Sequence, residues 1–190
     1  MTVGILALQG DFELHKNVLD ALQIKNILVK SPRELKSCDG LIIPGGETTT
    51  FMKLLRENNL YEELIEFGKS KYIFGTCAGL ITVSRKVNNH SIEALDLIDI
   101  EVKRNAYGRQ IDSFIGTVQI LLNNNRSDYE GVFIRAPKIL KIGEGVKPIG
   151  YHQEDIVLVE NENILAATFH PELTKDYRIH EYFLQKIKKQ

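Results

Sequence analysis

The sequence is poor in the features that mark secreted, membrane-spanning or nucleic-acid-binding chains. It has two cysteines, Cys38 and Cys77, in 190 residues. That is too few for a disulfide-stapled scaffold, and their contexts are unlike, so a reducing, cytoplasmic home is expected. No stretch approaches the roughly 20 apolar residues of a membrane span. The 24 Lys plus Arg against 25 Asp plus Glu leave no global field to draw the chain toward nucleic acid or anionic lipid. No Cys or His pair stands at metal-ligand spacing, since the nearest candidates, His170 and His180, are ten residues apart; no metal is expected, and nothing calls for a cofactor. No basic leader precedes Val3-Gly4-Ile5-Leu6-Ala7-Leu8, which stops at Gln9-Gly10-Asp11 and therefore reads as a buried strand and not a signal peptide.

What is present is the composition of an ordinary globular chain, 43% apolar and 26% charged. At this length roughly 70% of the unfolded surface can be buried without a disulfide or structural metal, so one domain over residues 1–190 is the default.

Short apolar runs alternate with amphipathic stretches in the first half. Val3 to Leu8 precedes a helical pattern from Phe12 to Leu22, with Leu14, Val18, Leu19 and Leu22 on one stripe. Asn26 to Lys30 and Gly40 to Ile43 are again strand-like. Thr49 to Gly68 is helical with a break near Asn58-Asn59, and Tyr72 to Phe74 is a strand. This βαβ rhythm implies right-handed crossovers and a parallel sheet covered on both faces, hence strands that are continuously apolar. Beyond Leu97 the pattern changes to strand-like pieces at Ile98 to Val102, Ile115 to Leu122, Gly131 to Ile134, Ile139 to Ile142, Ile156 to Val159 and Ile164 to Phe169, which suggests antiparallel or mixed pairing. Asn123-Asn124-Asn125 is a loop cluster, and Thr174 to Lys189 closes the chain as a helix with Ile179, Phe183 and Ile187 on one stripe.

Open α/β sheets place their chemistry beyond the carboxyl ends of their strands, and three such ends carry unusual residues. After Phe74 comes Gly75-Thr76-Cys77-Ala78-Gly79, a thiol version of the G-x-S-x-G elbow, which would expose the sulfur at the N-terminus of a helix from Ala78 to about Lys86 and favour a thiolate there. A buried structural Cys has no use for glycines two residues to either side. Cys38, in a loop without them, fits that structural role. After Ile164 to Phe169 comes His170-Pro171-Glu172. Proline favours extended geometry in the residue before it, and residues two apart then point the same way, so Cys77, His170 and Glu172 supply a nucleophile, a base and a carboxylate that orients the base. His15, His90, His152 and His180 read as hydrogen-bonded structural groups or solvated surface residues. After Ile43 comes Pro44-Gly45-Gly46-Glu47-Thr48-Thr49-Thr50. The Gly-Lys-Ser/Thr ending of a phosphate loop is missing, so an oxyanion hole from the Gly46 and Ala78 amides is the better reading, with Thr48 or Thr49 capping the next helix.

On these residues the chain resembles the class I glutamine amidotransferases, and within them the glutaminase subunits of pyridoxal 5′-phosphate synthases. The matching stretches are Leu8-Gln9-Gly10, Pro44-Gly45-Gly46-Glu47, Phe74 to Leu80, Arg104-Asn105 with Gly108 to Phe114, Gly131 to Pro137, and Phe169 to Leu173. The elbow and His-Pro-Glu belong to the wider class, whereas the Arg-Asn and Phe-Ile-Arg-Ala-Pro blocks are particular to these subunits. The resemblance implies a three-layer, flavodoxin-like α/β fold with an open mixed sheet and helices on both faces. It also implies hydrolysis of L-glutamine to L-glutamate and ammonia by a Cys77-His170-Glu172 triad, and ammonia delivery to a barrel-shaped synthase subunit in a hetero-oligomer. Gly46, Glu47, Thr48, Arg104, Ile134 and Arg135 would line the glutamine site. Where the family commonly reads Glu-Ser-Thr-Thr this chain has Glu47-Thr48-Thr49-Thr50, and Ala106-Tyr107 replaces Ser-Phe. Read without the resemblance, Arg104 and Arg135 serve equally well as surface arginines, and an amidotransferase feeding a different synthase or a cysteine peptidase of related fold stays open.

Overall fold

The structure is a computed structural model, and it describes residues 1–88, 92–104, 106 and 113–189. His90, Asn105 and the block from Gly108 to Asp112 lie outside the described residues, as does Tyr107.

The first half runs β1 (Val3–Leu6), α1 (Phe12–Ala21), β2 (Asn26–Val29), α2 (Pro32–Lys36), β3 (Gly40–Ile43), α3 (Thr48–Glu57), α4 (Tyr61–Gly68), β4 (Tyr72–Thr76) and α5 (Ala78–Val83). The second half adds β5 (Ser84–Asn88), β6 (Ile98–Lys103), β7 (Ser113–Leu122), β8 (Asn125–Ile134), β9 (Lys138–Ile142), β10 (Lys147–His152), β11 (Asp155–Glu160), β12 (Ile164–Ala167), a 3₁₀ turn (Pro171–Leu173) and α6 (Arg178–Lys188).

Among the described residues a nine-stranded sheet has the order β2-β1-β3-β4-β12-β11-β10-β7-β8, and a three-stranded sheet the order β5-β6-β9. Strands β2 to β12 in that order pair in parallel, the flavodoxin-like arrangement. From β12 to β8 every pairing is antiparallel. The parallel part is closed by β12, the last strand in sequence, and this brings the loop after Phe169 beside the elbow after β4. Ala167 pairs with Thr76, and the Cys77 amide donates to the Ala167 carbonyl at 2.9 Å.

The central strands are apolar at every position because successive side chains feed two cores. Leu6, Leu41, Ile43, Ile73, Ile164 and Ala166 enter the core under α3, α4 and α5, whereas Ile5, Ile42, Phe74, Leu165 and Ala167 enter the core under α1 and α6. These two helical layers around one sheet are the expected three-layer, mixed α/β architecture.

Two local expectations are corrected, and two elements appear that the pattern does not announce. The helix after Cys77 ends at Val83, and Ser84–Asn88 is a strand, because Ser84 onward pairs with β6. The segment Pro32–Lys36 is a helix, held by a capping box in which Glu34 accepts from the Ser31 amide at 2.9 Å. Lys147–His152 is a strand despite Pro148 and Gly150, which coincide with a register shift against β11. The C-terminal helix starts at Arg178, after the 3₁₀ turn that holds Glu172. The Asn123-Asn124 loop is a two-residue hairpin with φ of 51° and 64°, the left-handed pair a type I′ turn requires.

Candidate active site

Each expected site residue lies at or near the carboxyl end of a strand. Gln9 to Asp11 follow β1, Gly45 to Thr48 follow β3, Cys77 follows β4, and His170 with Glu172 follow β12, while Arg104 and Ile134-Arg135 lie at the ends of β6 and β8. Asp11, Gly46, Glu47, Thr48, Cys77, Ala78, Ile81, Arg104, Ile134, Arg135 and His170 together line a cavity of about 280 Å³. Glu172 stands outside that lining, behind His170.

The elbow is sterically built. Cys77 has φ 49° and ψ −103°, a conformation that costs a non-glycine residue about 1–3 kcal/mol and survives only where its surroundings enforce it. Both glycines are needed for close approach: a methyl on Gly75 would lie 2.7 Å from the Gly79 carbonyl, and one on Gly79 would lie 2.0 Å from the Ile43 carbonyl of β3. The turn therefore packs against the strand that carries the glycine loop. The Cys77 thiol reaches the Ile134 carbonyl at 3.8 Å.

His170 Nδ1 bonds Glu172 Oε1 at 2.7 Å, with both residues buried. Their backbone is not extended, as the proline argument required; Pro171–Leu173 is a 3₁₀ turn entered from His170 at φ −106°, ψ 86°. The tight turn brings the two side chains onto one side all the same. Burial opposes charge on His170, but hydrogen bonding to Cys77 and Glu172 outweighs it and raises its pKa to about 10. Burial likewise opposes charge on Glu172, yet the fields of His15 and His170 and the bond from His170 hold it down at about 2. The pair is thus electrostatically poised as carboxylate and imidazolium.

The glycine loop is braced from β1. The Gln9 side chain accepts from the Glu47 amide and donates to the Glu47 carbonyl, both at 3.2 Å. The Asp11 amide donates to the Gly45 carbonyl at 3.2 Å, and Gly45 lies so close under the His170 ring that a methyl there would meet Cε1 at 2.5 Å. Glu47, not a threonine, caps α3: its carboxylate accepts from the Thr49 amide at 3.1 Å and the Thr50 amide at 2.7 Å. Burial works against the charged form of Glu47, but these bonds prevail and lower it to about 2. Arg104 bonds the same carboxylate at 3.0 Å and sits only 17% exposed at the cavity wall, which sets it apart from a free surface arginine. Ala78 opens α5, whose first-turn amides have no intrahelical acceptor, and it shares the cavity wall with Gly46. Arg135, exposed with φ 43°, turns the chain at the rim.

Cys38 and Cys77 are both free thiols. Cys38 is a buried structural group whose thiol donates to the Glu34 carbonyl at 3.3 Å, and burial pushes its pKa up to about 11. His152 is structural too, its ring tilted against Phe114 and Phe133 and bonded to the Thr117 carbonyl at 2.9 Å. His15 and His180 are also buried and hydrogen-bonded, but they do more than fill the core, since His15 Nε2 faces Glu172 Oε2 at 3.4 Å. The signal lay in the periodicity: His15, Val18 and Leu19 form the buried stripe of α1, and Leu14 is only half-buried. Against the reading of no metal-ligand spacing, Asp11, His170 and Glu172 bring three possible ligand atoms within 4.8 Å of one another. The His170 and Glu172 atoms among them already bond each other. No helix among the described residues is long and apolar enough to cross a membrane.

This fold is that of the class I glutamine amidotransferases. A crystal structure described as a glutamine amidotransferase superposes with a TM-score of 0.92 at 40% identity, covering 98% of each chain. The structure of PurLQS from Thermotoga maritima shares the fold at TM-score 0.70 and 16% identity, over 99% of this chain and 97% of that one. More narrowly, the chain belongs to the SNO glutamine amidotransferase family, whose model matches residues 5–189. It is 46% identical to the pyridoxal 5′-phosphate synthase subunit PdxT of Thermosipho africanus over the whole of both chains. It is 47% identical to that of Solibacter usitatus, over 97% of this chain and 98% of the relative.

Proposed function

We propose that this chain, acting as one domain over residues 1–190, hydrolyses L-glutamine to L-glutamate and ammonia in the cytoplasm and passes the ammonia to a synthase subunit that makes pyridoxal 5′-phosphate. The observation that carries the reading is the buried 2.7 Å His170–Glu172 pair facing the strained Cys77 across one cavity with Arg104. The relatives named as PdxT favour this synthase over another as the partner. A cysteine peptidase would leave the enclosed arginine unexplained.

The chemistry follows from the parts. Glutamine enters with its α-carboxylate toward Arg104, a charge-assisted bond, while Glu47, Thr48 and the Ile134-Arg135 rim enclose the rest. The Cys77 sulfur attacks the carboxamide carbon, and the Gly46 and Ala78 amides hold the oxyanion. As the C–N bond breaks, the His170 imidazolium gives its Nε2 proton to the departing ammonia. The remaining thioester is attacked by water, which loses a proton to His170. The C–S bond breaks, glutamate leaves, and the thiol is restored. Glu172 holds the imidazole in its tautomer and stabilises its charged form throughout.

The test is ammonia release from L-glutamine by the purified chain, with and without the barrel-shaped synthase subunit. Glutamate and ammonia in equal amounts, dependent on Cys77, are expected. Turnover of a peptide panel with none of glutamine would replace this reading with the peptidase.

A further inference from the structure

We infer that His15 is a positioning residue for Glu172, and that His180 fixes the tautomer of His15. The inference rests on the triad proposed above and adds two residues that touch neither substrate nor sulfur.

Glu172 uses Oε1 for His170. Its other oxygen, Oε2, is buried, and among the described residues none donates to it within ordinary hydrogen-bond range. The nearest polar group is His15 Nε2 at 3.4 Å, and both side chains are fully buried. His15 Nε2 also lies 3.2 Å from Thr76 Oγ1, and its Nδ1 lies 3.0 Å from His180 Nε2. His180 Nδ1 is buried with no partner among the described residues. The groups that face His15 are therefore Glu172 and His170 from the segment after β12, Asp11 from the loop after β1, His180 from α6 and Thr76 from β4.

A neutral imidazole carries one N–H, so this chain of contacts has two arrangements. In one, His15 donates from Nδ1 to His180. His180 must then carry its own proton on Nδ1, where it meets no acceptor, and the His15 Nε2 lone pair, which accepts from the Thr76 hydroxyl, also faces the carboxylate oxygen. Both features are costly in a dry interior. In the other, His180 Nε2–H donates to His15 Nδ1, and His15 Nε2–H donates to Thr76 Oγ1 with Glu172 Oε2 3.4 Å from the same nitrogen. The atom left over is then only a lone pair on His180 Nδ1. The second arrangement gives each ring proton between the two histidines and Thr76 an acceptor.

A fixed direction of donation has a mechanical consequence. With Oε1 bonded to His170 and Oε2 facing the His15 Nε2–H dipole at 3.4 Å, rotation of the Glu172 carboxylate is opposed, His170 keeps its proton on Nδ1, and His170 Nε2 stays directed at the thiol. Phe74 walls the two histidines edge-on, with ring centroids 6.3 Å from His15 and 5.6 Å from His180, which keeps competing water out.

The test compares His15→Phe, which keeps a ring and removes the donor, with His15→Gln, which keeps an amide donor and an acceptor. Both are assayed as full chains assembled with the synthase subunit. His15→Phe is expected to lower kcat by about tenfold or more, the factor a hydrogen bond to a charged group supports, with KM for glutamine unmoved and the acid limb of the kcat profile displaced to higher pH. His15→Gln recovers most of the rate and the wild-type limb. Equal loss in both variants, a loss confined to KM, or wild-type rates in His15→Phe overturns the inference. Should the variants not fold, ¹⁵N-histidine NMR of the unaltered chain decides: a proton on His15 Nε2 supports it and a proton on Nδ1 overturns it. A wild-type complex that releases no ammonia would sink the glutaminase reading, and the tautomer would still be read independently.

Discussion

A methyl group placed on Gly79 would sit 2.0 Å from the carbonyl oxygen of Ile43, so the elbow that carries Cys77 is in van der Waals contact with the strand that carries the glycine loop. Two strand ends of the site are thereby fixed to each other by the absence of a side chain. Because the obstacle is backbone in the centre of a sheet, it cannot move aside. Gly79→Ala should destabilise the fold by about 1–3 kcal/mol, the usual cost of overpacking, and should displace Cys77 from its partners. Urea denaturation together with the glutaminase rate checks this; an alanine variant as stable and as active as the parent would show that the elbow is looser than this contact implies.

The strain at Cys77 predicts an inverted substitution order. At most positions alanine is more stabilising than glycine by about 0.5–1 kcal/mol. At φ 49°, ψ −103°, alanine retains the backbone strain of the native cysteine and glycine relieves it, while both lose the same buried thiol. Cys77→Gly should therefore melt above Cys77→Ala. Both should lose glutaminase activity by more than about 10³-fold, as removal of a covalent nucleophile does. Differential scanning calorimetry of the pair, run beside an ammonia assay, measures both effects; the ordinary order, alanine above glycine, would contradict a strained nucleophile.

Much of this site is legible in residue patterns because its logic is local. Glycines flanking Cys77 at two residues on either side, and His170 two residues before Glu172, are chemical statements that need no coordinates. Strands β3 and β4 are legible from continuous apolar runs, since both faces of the central sheet are buried. What is illegible depends on contacts distant in sequence. The short helix α5 ends at Val83 because Ser84 onward pairs with β6, which no local signal announces. Glu47, not a threonine, is the helix cap because its backbone is pinned by Gln9 and its carboxylate by Arg104, from 38 and 57 residues away. His15 reads as one structural histidine among several, although its spacing to Val18 and Leu19 puts it on the core face of α1; its neighbour Glu172 lies at the other end of the chain.

Arg104 lies against Glu47 at 3.0 Å with its side chain largely enclosed, and in the proposed function its guanidinium is the partner of the substrate carboxylate. Its contribution should appear in binding more than in bond breaking, since it stands apart from Cys77 and His170 chemistry. Arg104→Ala should raise KM for glutamine by about 10–100-fold, the range of a lost charge-assisted hydrogen bond, and change kcat much less. Steady-state kinetics in the assembled complex tests this. A fall in kcat at unchanged KM would move Arg104 from substrate clamp to catalytic machinery.

The buried histidines make acid stability a second readout of the same network. Burial lowers the pKa of His15, and burial with the field of His15 lowers that of His180 to about 3. An unfolded histidine takes its proton near 6.5. As pH falls below about 6.5, the unfolded chain thus binds protons that the native chain refuses, and for His180 stability drops by about 1.4 kcal/mol per pH unit until about pH 3, with His15 adding loss of the same sign. Glu172, held at about 2, adds loss of the same sign below about 4.5. His170, raised to about 10, acts oppositely: it keeps a proton the unfolded chain has released, so its contribution is complete below about 6.5 and fades as pH climbs to about 10. Urea midpoints should therefore fall on both sides of roughly pH 6.5. His180→Gln, which retains an amide donor toward His15 Nδ1, should remove about one proton from the acid slope between pH 6.5 and 4.5. An unchanged slope in that variant would mean that His180 is already charged in the native fold, and the neutral tautomer assigned to it would have to be abandoned.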